Sequence, residues 1–310
     1  MRLNRLDLNL TVCLDALLAE RNVSRAAARV FVSQPAMSVA LRRLREYFQD
    51  DLLVQAGRQY RLSAFAESLQ KPVRDAILQM RAISDWRPNF EPALSDRKLS
   101  IEASDYIATV FMPEVFKLAS AEAPEMRFEL RLLAPGYLDS LDSGEIDLLI
   151  IPDALSSSAH PRDVLFTDTF SCVVWQGNTL VKSRLTRTQY FRLGHVICAW
   201  DGGRMEALDE NQLSRSGLHR RRAITAPSFS LAPQLVVGTQ RIATVQTRLA
   251  VLMAKSLPIR VLPCPVTIPE IVETIQWHKY QERDPAVRWF LELLKSVASR
   301  LGSSRPAPIR

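Results

Sequence analysis

Gln34, Ser38 and Arg42 fall at i, i+4 and i+8, so a helix would carry an amide, a hydroxyl and a guanidinium along one face. Met37, Leu41 and Leu44 recur at four- and three-residue spacing and give the same helix an apolar face. One face can pack while the other offers hydrogen-bonding groups beside a cation. That is what a helix needs to enter a DNA major groove. An ordinary amphipathic helix on a protein surface has the same periodicity, so the pattern alone leaves both readings open.

The flanking residues supply the elements that must hold this face. Ser33 is expected to cap the helix, with Pro35 in its first turn fixing how the amino end approaches the groove. A short alanine-rich helix capped by Ser24 precedes it and carries Arg25; Arg43 adds a cation beside Arg42. Leu6 to Glu20 reads as a first helix with Leu10, Leu14 and Leu17 inward, supported by Cys13. After Asp50-Asp51, the segments Leu52 to Gln55 and Tyr60 to Leu62 read as two short strands around Gly57, a wing after a three-helix core. Arg58 and Arg61 lie at its tip and return strand, where they serve either solubility or phosphate and minor-groove contact.

The chain has 310 residues, 47% of them apolar, enough for two or three domains with real cores. The net charge is +7, and the first 62 residues hold ten arginines against six acidic residues, so the excess gathers where the helix pair lies. No apolar run reaches the roughly 18 residues of a membrane span. The amino terminus carries acidic residues in its apolar part and no cleavage site, so a cytoplasmic, nucleoid-associated protein is expected. The four cysteines and four histidines are scattered without metal-ligand spacing, and reduced thiols with no metal or cofactor are expected. His195 reads as structural and His160, in a serine-rich loop, as exposed.

Ser63 then caps a long helix in which Leu69, Val73, Ala76, Met80 and Ile83 follow a four-three-four-three spacing. That is a coiled-coil seam, which would make a homodimer with two recognition helices on one face and a roughly palindromic DNA site. Packing of the seam on its own chain is the alternative. Pro72 is expected to bend the helix or loosen its first turns, and Pro88 and Pro92 mark a linker. From Arg97 strands and helices alternate, which implies α/β architecture. A middle block interrupts the first, so two subdomains joined by crossings near Phe166 to Phe170 and Pro265 to Pro269 are expected, with ligand in the cleft between them.

The string Ala26-Ala27, Val30, Ser33-Gln34-Pro35-Ala36-Met37-Ser38 and Leu41 to Arg45 resembles the LysR-type transcriptional regulators. The resemblance extends over essentially the whole chain, nearest the NodD-type branch, through Gly144 to Asp153, Ser157 to Arg162, Phe166 to Val174, Ser228 to Ala250 and Ile275 to Leu294. The chain departs from the family pattern at Leu52-Leu53-Val54-Gln55, where the family commonly has Leu-Phe-x-Arg, and at Phe65-Ala66, where it has Ala-Gly. By the resemblance, the first change removes one potential phosphate contact, and neither change removes the module. The resemblance implies an effector domain similar to type 2 periplasmic binding proteins, pairing to a homotetramer, RNA polymerase as a partner if the protein activates, and small aromatic effectors, including flavonoids and aromatic carboxylates.

The expected organisation is therefore α+β multidomain. Residues 1–62 form a winged helix-turn-helix, 63–96 a linker helix and hinge, 97–302 the α/β effector domain and 303–310 a flexible tail. Within the effector domain, subdomain I takes 97–166 and 268–302 and subdomain II takes 167–267. Cleft candidates stand at strand ends and helix starts: Ser104, Asp105, Tyr106, Pro135, Gly136, Pro152, Trp200, Phe229, Ser230, Gln246, Thr247 and Arg248. Ser228 is expected to cap a helix at Phe229 to Val237. Arg248 could pair with a carboxylate or phenolate, or sit in an interdomain salt bridge; Tyr106, Trp200 and Phe229 could stack an aromatic effector or pack in the core. An enzyme is not expected, because no phosphate loop, nucleophile elbow or metal triad occurs. A cytoplasmic solute sensor without DNA readout is the remaining alternative, against which the wing motif argues.

Overall fold

Separate hydrophobic cores organise residues 1–86 and residues 87–310. The structure is a computed structural model, and it describes residues 7–57, 59–84, 90–200 and 205–303. Arg58 and the Asp201 to Arg204 turn lie outside them, as does nearly all of the expected tail.

In the first unit α1 (Leu8–Glu20), α2 (Val23–Arg29) and α3 (Gln34–Phe48) enclose Leu14, Leu17, Ala26, Met37 and Leu44, all buried. Ser33 caps α3, its Oγ accepting from the Ala36 N–H at 3.3 Å, with Pro35 in the first turn. The cap of α2 is Asn22 rather than Ser24. Asn22 has the extended backbone a cap requires, and its amide oxygen accepts from the Arg25 N–H at 3.0 Å, which leaves Ser24 inside the first turn. Strands β1 (Leu53–Ala56) and β2 (Gln59–Leu62) form the antiparallel wing. Arg45 fastens the wing to α3, with Nε donating to the Asp51 carbonyl at 2.7 Å and Nη2 to the Leu53 carbonyl at 2.8 Å.

Helix α4 (Ala64–Ser84) runs on through Pro72. It lies against α1, tied by Arg74 to Asp15 at 2.9 Å. Leu69 and Val73 pack on the three-helix core of their own chain. The first half of the expected seam is thus spent within the protomer; Ala76 is exposed, Met80 half-buried and Ile83 72% exposed.

The second unit contains two sheets. One has strand order β4-β3-β5-β13-β6, from β3 (Lys98–Ala103), β4 (Arg127–Leu132), β5 (Leu148–Pro152), β6 (Arg162–Asp168) and β13 (Ile271–Trp277). The other has order β10-β8-β11-β7-β12, from β7 (Phe170–Trp175), β8 (Gly194–Trp200), β10 (Arg221–Ala226), β11 (Ile242–Gln246) and β12 (Ile259–Pro263). The two-residue β9 (Met205–Glu206) pairs with β8. The chain crosses between sheets at Asp168 to Phe170 and returns between Pro263 and Ile271. β5 is buried along its whole length, as an apolar run between two strands should be. Of the helices, α5 (Asp105–Val110) and α6 (Met112–Glu122) are separate because Phe111 and Pro113 break the run, and α12 (Pro285–Ser303) closes the first lobe. In the first lobe α7 (Tyr137–Asp142) follows β4; in the second lie α8 (Arg187–Arg192), α9 (Leu208–Arg215), α10 (Ala232–Val236) and α11 (Thr247–Met253).

The second lobe buries a charge cluster. Arg220 meets Asp209 at 2.8 Å and also bonds Glu210, all three nearly inaccessible. His195 lies beside it, its Nε2 2.6 Å from the Tyr190 carbonyl, with burial lowering its pKa to about 4; it is a neutral structural histidine. His160 departs from the expected exposure: it is buried, with Nε2 2.5 Å from Asp142 and its ring against His278. Arg220→Ala should destabilise this lobe by about 3–5 kcal/mol, because buried Asp209 loses the arginine paired with it and Glu210 keeps only the half-exposed Arg222. Thermal unfolding checks it, and a midpoint equal to that of the wild type would show the cluster to be energetically idle.

Candidate functional site

Most of the DNA-facing candidates stand exposed on α3. Gln34, Pro35, Ser38, Arg42 and Arg43 are all exposed on α3, and Gln34 Nε2 donates to Ser38 Oγ at 3.0 Å. That bond presets both side chains one turn apart. Ser33 is engaged in capping, so its hydroxyl serves α3 itself. Arg25 is half committed, with Nη2 donating to the Glu20 carbonyl at 2.6 Å and Nε to its carboxylate at 3.2 Å. Arg61 is exposed on the wing, and Arg58 lies outside the described residues. Arg45 escaped the sequence reading as a site residue; it positions the wing through two backbone carbonyls.

The second site is a cleft between the lobes of the second unit. It encloses about 960 Å³ of space between atoms, its mouth included. Ser104, Asp105, Pro152, Trp200, Phe229 and Gln246 line it as expected. Tyr137, Leu133, Phe170, Ile271 and Glu273 line it too and were not anticipated. Glu273 had a signal, an acidic residue at an inward register of a strand that otherwise alternates apolar side chains.

Six expected residues do not line the cleft: Tyr106, Pro135, Gly136, Ser230, Thr247 and Arg248. Each has a different task. Pro135 and Gly136 make the turn into α7, and Gly136 has φ +88°, the left-handed region that glycine enters freely. Tyr106 is fully buried and its hydroxyl donates to Asp168 Oδ2 at 2.7 Å; burial, then the neighbouring Asp168 charge, push its pKa far up. The Arg248 N–H donates to the same oxygen at 3.1 Å, and its guanidinium lies 5.7 Å from the Phe166 ring centre. Thr247 Oγ1 sits 2.8 Å from both Thr169 Oγ1 and Ser171 Oγ. Tyr106, Thr247 and Arg248 thus gather at the crossing between the lobes, the position of a hinge.

Asp105 has a double position. It lines the cleft, and its carboxylate accepts from the Phe229 N–H at 3.0 Å, the Ser230 N–H at 2.8 Å and the Ser230 hydroxyl at 2.8 Å. The helix expected from Phe229 begins only at Ala232, because residues 229–230 present their N–H groups to the opposite lobe instead; the Ser228 hydroxyl caps a turn at Leu231. Asp105 is therefore a latch across the cleft.

A winged helix-turn-helix with an exposed polar reading face, followed by two α/β lobes that enclose a ligand-sized cleft, defines a ligand-responsive DNA-binding regulator. Residues 8–67 match the bacterial regulatory helix-turn-helix protein, lysR family, and residues 93–299 match the LysR substrate binding domain. The chain belongs to the LysR family of transcriptional regulators, which are not enzymes. Nodulation protein D 2 of Rhizobium tropici is 42% identical over all of this chain and 98% of that protein. Nodulation protein D 3 of Mesorhizobium japonicum is 40% identical over 97% of this chain and all of that protein. Among solved structures, a probable transcriptional regulator of Pseudomonas aeruginosa is 29% identical with a TM-score of 0.63, covering 95% of this chain and 98% of that one. Full-length OxyR of the same species shares the fold at 19% identity, with a TM-score of 0.71 and 94% of each chain covered.

Two outcomes are expected. Gln34→Ala or Ser38→Ala should cost about 1–3 kcal/mol in binding a cognate duplex, while Arg43→Ala should weaken all DNA alike and reduce the salt slope by about one. Fluorescence anisotropy across a salt series separates the two kinds. Asp105→Ala should speed amide exchange at Phe229 and Ser230 at least tenfold, since roughly 1.4 kcal/mol of lost latch free energy is a factor of ten. Unchanged exchange there would mean that the lobes are held without the latch.

Proposed function

We propose that this protein binds an inverted-repeat promoter site as a homodimer, pairing further to a homotetramer, and that a small uncharged aromatic effector in the cleft controls it. The observation that carries the effector reading is the pairing of aromatic walls with two buried polar atoms that have no hydrogen-bond partner among the described residues. Trp200 and Phe229 pack edge to face, 5.2 Å between ring centres, with Tyr137 and Phe170 also in the lining. Glu273 Oε2 and Gln246 Oε1 are the two atoms, each on a side chain 1% exposed. Burying such groups unpaired is costly, and a ligand hydroxyl satisfies them.

The charge of the site argues against an acidic effector. Among the described residues no cation lines the cleft, and Arg248, once the natural partner for a carboxylate, stands at the hinge. Burial, helped by the charge of Asp168, pushes Glu273 up to about 8, so at neutral pH it is a protonated donor. Gln246 Oε1 can only accept. A planar molecule with hydroxyl groups answers both, and flavonoids, which the resemblance to the NodD-type branch implies, have that chemistry.

Dimerisation is assigned to the free part of α4, where Ala76, Met80 and Ile83 remain after Leu69 and Val73 have been used. If the protein activates, which its likeness to the nodulation proteins supports, RNA polymerase is a further partner, and action on chromosomal DNA would put it in the cytoplasm with the nucleoid. A solute sensor without DNA readout would leave the exposed Gln34, Ser38 and Arg42 face without a task.

Thermal shift with a dihydroxyflavone, its O-methylated counterpart and benzoate tests the effector. The hydroxylated compound alone should raise the melting temperature, by the equivalent of about 2.7 kcal/mol at a hundred times its Kd. Stabilisation by benzoate alone would return the acidic reading. Glu273 also sets a pH dependence. Its folded pKa lies above the unfolded value near 4.5, so wild-type stability falls as pH rises from about 4.5 to about 8. Glu273→Gln should therefore melt higher than the wild type at pH 7.5, with the difference vanishing near pH 4.5. A pH-independent difference would mean that the carboxyl does not titrate in this window.

A further inference from the structure

The outward surface of α3 is not wholly polar. Val39 stands near its middle, one turn after Pro35 and one turn before Arg42 and Arg43, and it is 45% exposed. The buried stripe of the same helix is Met37, Ala40, Leu41 and Leu44, so Val39 faces away from the core. A second apolar side chain stands just before the helix. Phe31 is 96% exposed, two residues ahead of the Ser33 cap, with φ +55°. A bulky residue in that region is strained, and asparagine or glycine would serve the turn better. Neither residue supports the fold from where it sits, and both border the hydrogen-bonding groups of the reading face.

We propose that Val39 and Phe31 are specificity residues that contact thymine methyl groups, so that the protein selects thymine over cytosine at the base pairs they meet. The C5-methyl of thymine is the apolar group on the floor of the major groove, and cytosine lacks it. Gln34, Ser38 and Arg42 can read donors and acceptors but cannot sense that methyl. An isopropyl group on the outward face between a proline and two arginines can, and so can a phenyl ring at the corner where the helix enters. The reading rests on α3 entering the major groove. It adds a sequence term that involves no charge and therefore no counter-ion release.

The test uses the full chain and a duplex enriched from a random-sequence pool by the wild-type protein. Each thymine in that duplex is replaced in turn by deoxyuridine, which keeps the pairing and deletes only the methyl. Wild-type affinity should fall roughly fourfold at the contacted thymines, the worth of one buried methyl. Val39→Ala should bind the parent duplex weaker by a similar factor and lose its sensitivity at one thymine position. Phe31→Asn should lose it at another. Both variants should keep the wild-type salt slope, and neither should melt lower, since alanine favours the helix and asparagine tolerates the left-handed turn. A uracil profile in both variants identical to that of the wild type overturns the proposal while leaving major-groove binding intact. If no duplex is enriched, the reading of α3 as a DNA-entering helix falls, and the proposal with it. A lower melting point for Val39→Ala with an unchanged profile would make that residue structural and remove it from the reading face.

Discussion

The carboxylate of Asp168 is the point on which the effector unit turns. It lies at the end of β6, where the chain leaves one sheet for the other. Three donors converge on it: the Tyr106 hydroxyl from α5 at 2.7 Å, the Arg248 N–H from α11 at 3.1 Å, and its own neighbour's Thr169 N–H at 2.8 Å. One buried group therefore joins an element of each lobe to the crossing itself. Removing it would strand a buried tyrosine hydroxyl and leave the crossing without its anchor. Around it Thr169, Ser171 and Thr247 close a hydroxyl network, a polar knot set beside an apolar core that runs from one lobe into the other.

The Asp105 latch differs from that knot in a way that suits a switch. Its three bonds are only partly buried, and all of them reach from one lobe to a turn of the other. Partly solvated bonds exchange with water at small net cost, whereas the knot would have to expose a buried carboxylate and a buried phenol. Opening thus has an easy side, at the cleft mouth, and a resistant side, at the crossing. A ligand in the cleft can shift this balance only as far as it binds one arrangement better than the other. The aromatic lining belongs to both lobes, Tyr137 to the first and Trp200 with Phe229 to the second. A planar ligand touching both sets favours the arrangement that brings them together.

Periodicity carried most of the architecture. Met37, Leu41 and Leu44 gave the inward face of α3, Leu10, Leu14 and Leu17 that of α1, and the alternation of strands and helices from Arg97 the α/β lobes. The cleft was legible only by rule, as the residues after strand ends, and the rule does not say which way a side chain turns. Ser104 and Asp105 face the cleft while Tyr106, next in sequence, is buried toward Asp168, because consecutive positions on a helix lie 100° apart. Arg248 was misplaced for the same reason. The α4 seam failed in its first half because a periodic apolar stripe reads identically whether its partner is another chain or the same one. His160 was hidden by its neighbours: a serine-rich loop looks exposed until Asp142 and His278 are brought to it.

Both functional surfaces hold residues that the fold alone would not choose. Phe31 occupies a left-handed turn that asparagine would fill with less strain, and Glu273 sits in a buried strand position beside the charge of Asp168, where glutamine or leucine would fold better at neutral pH. Each mismatch loses free energy in the isolated protein, and under the proposed readings a complex recovers it, with a duplex for Phe31 and with a hydroxylated ligand for Glu273. Local conflicts between sequence and fold are then the marks of the two surfaces proposed to meet a partner.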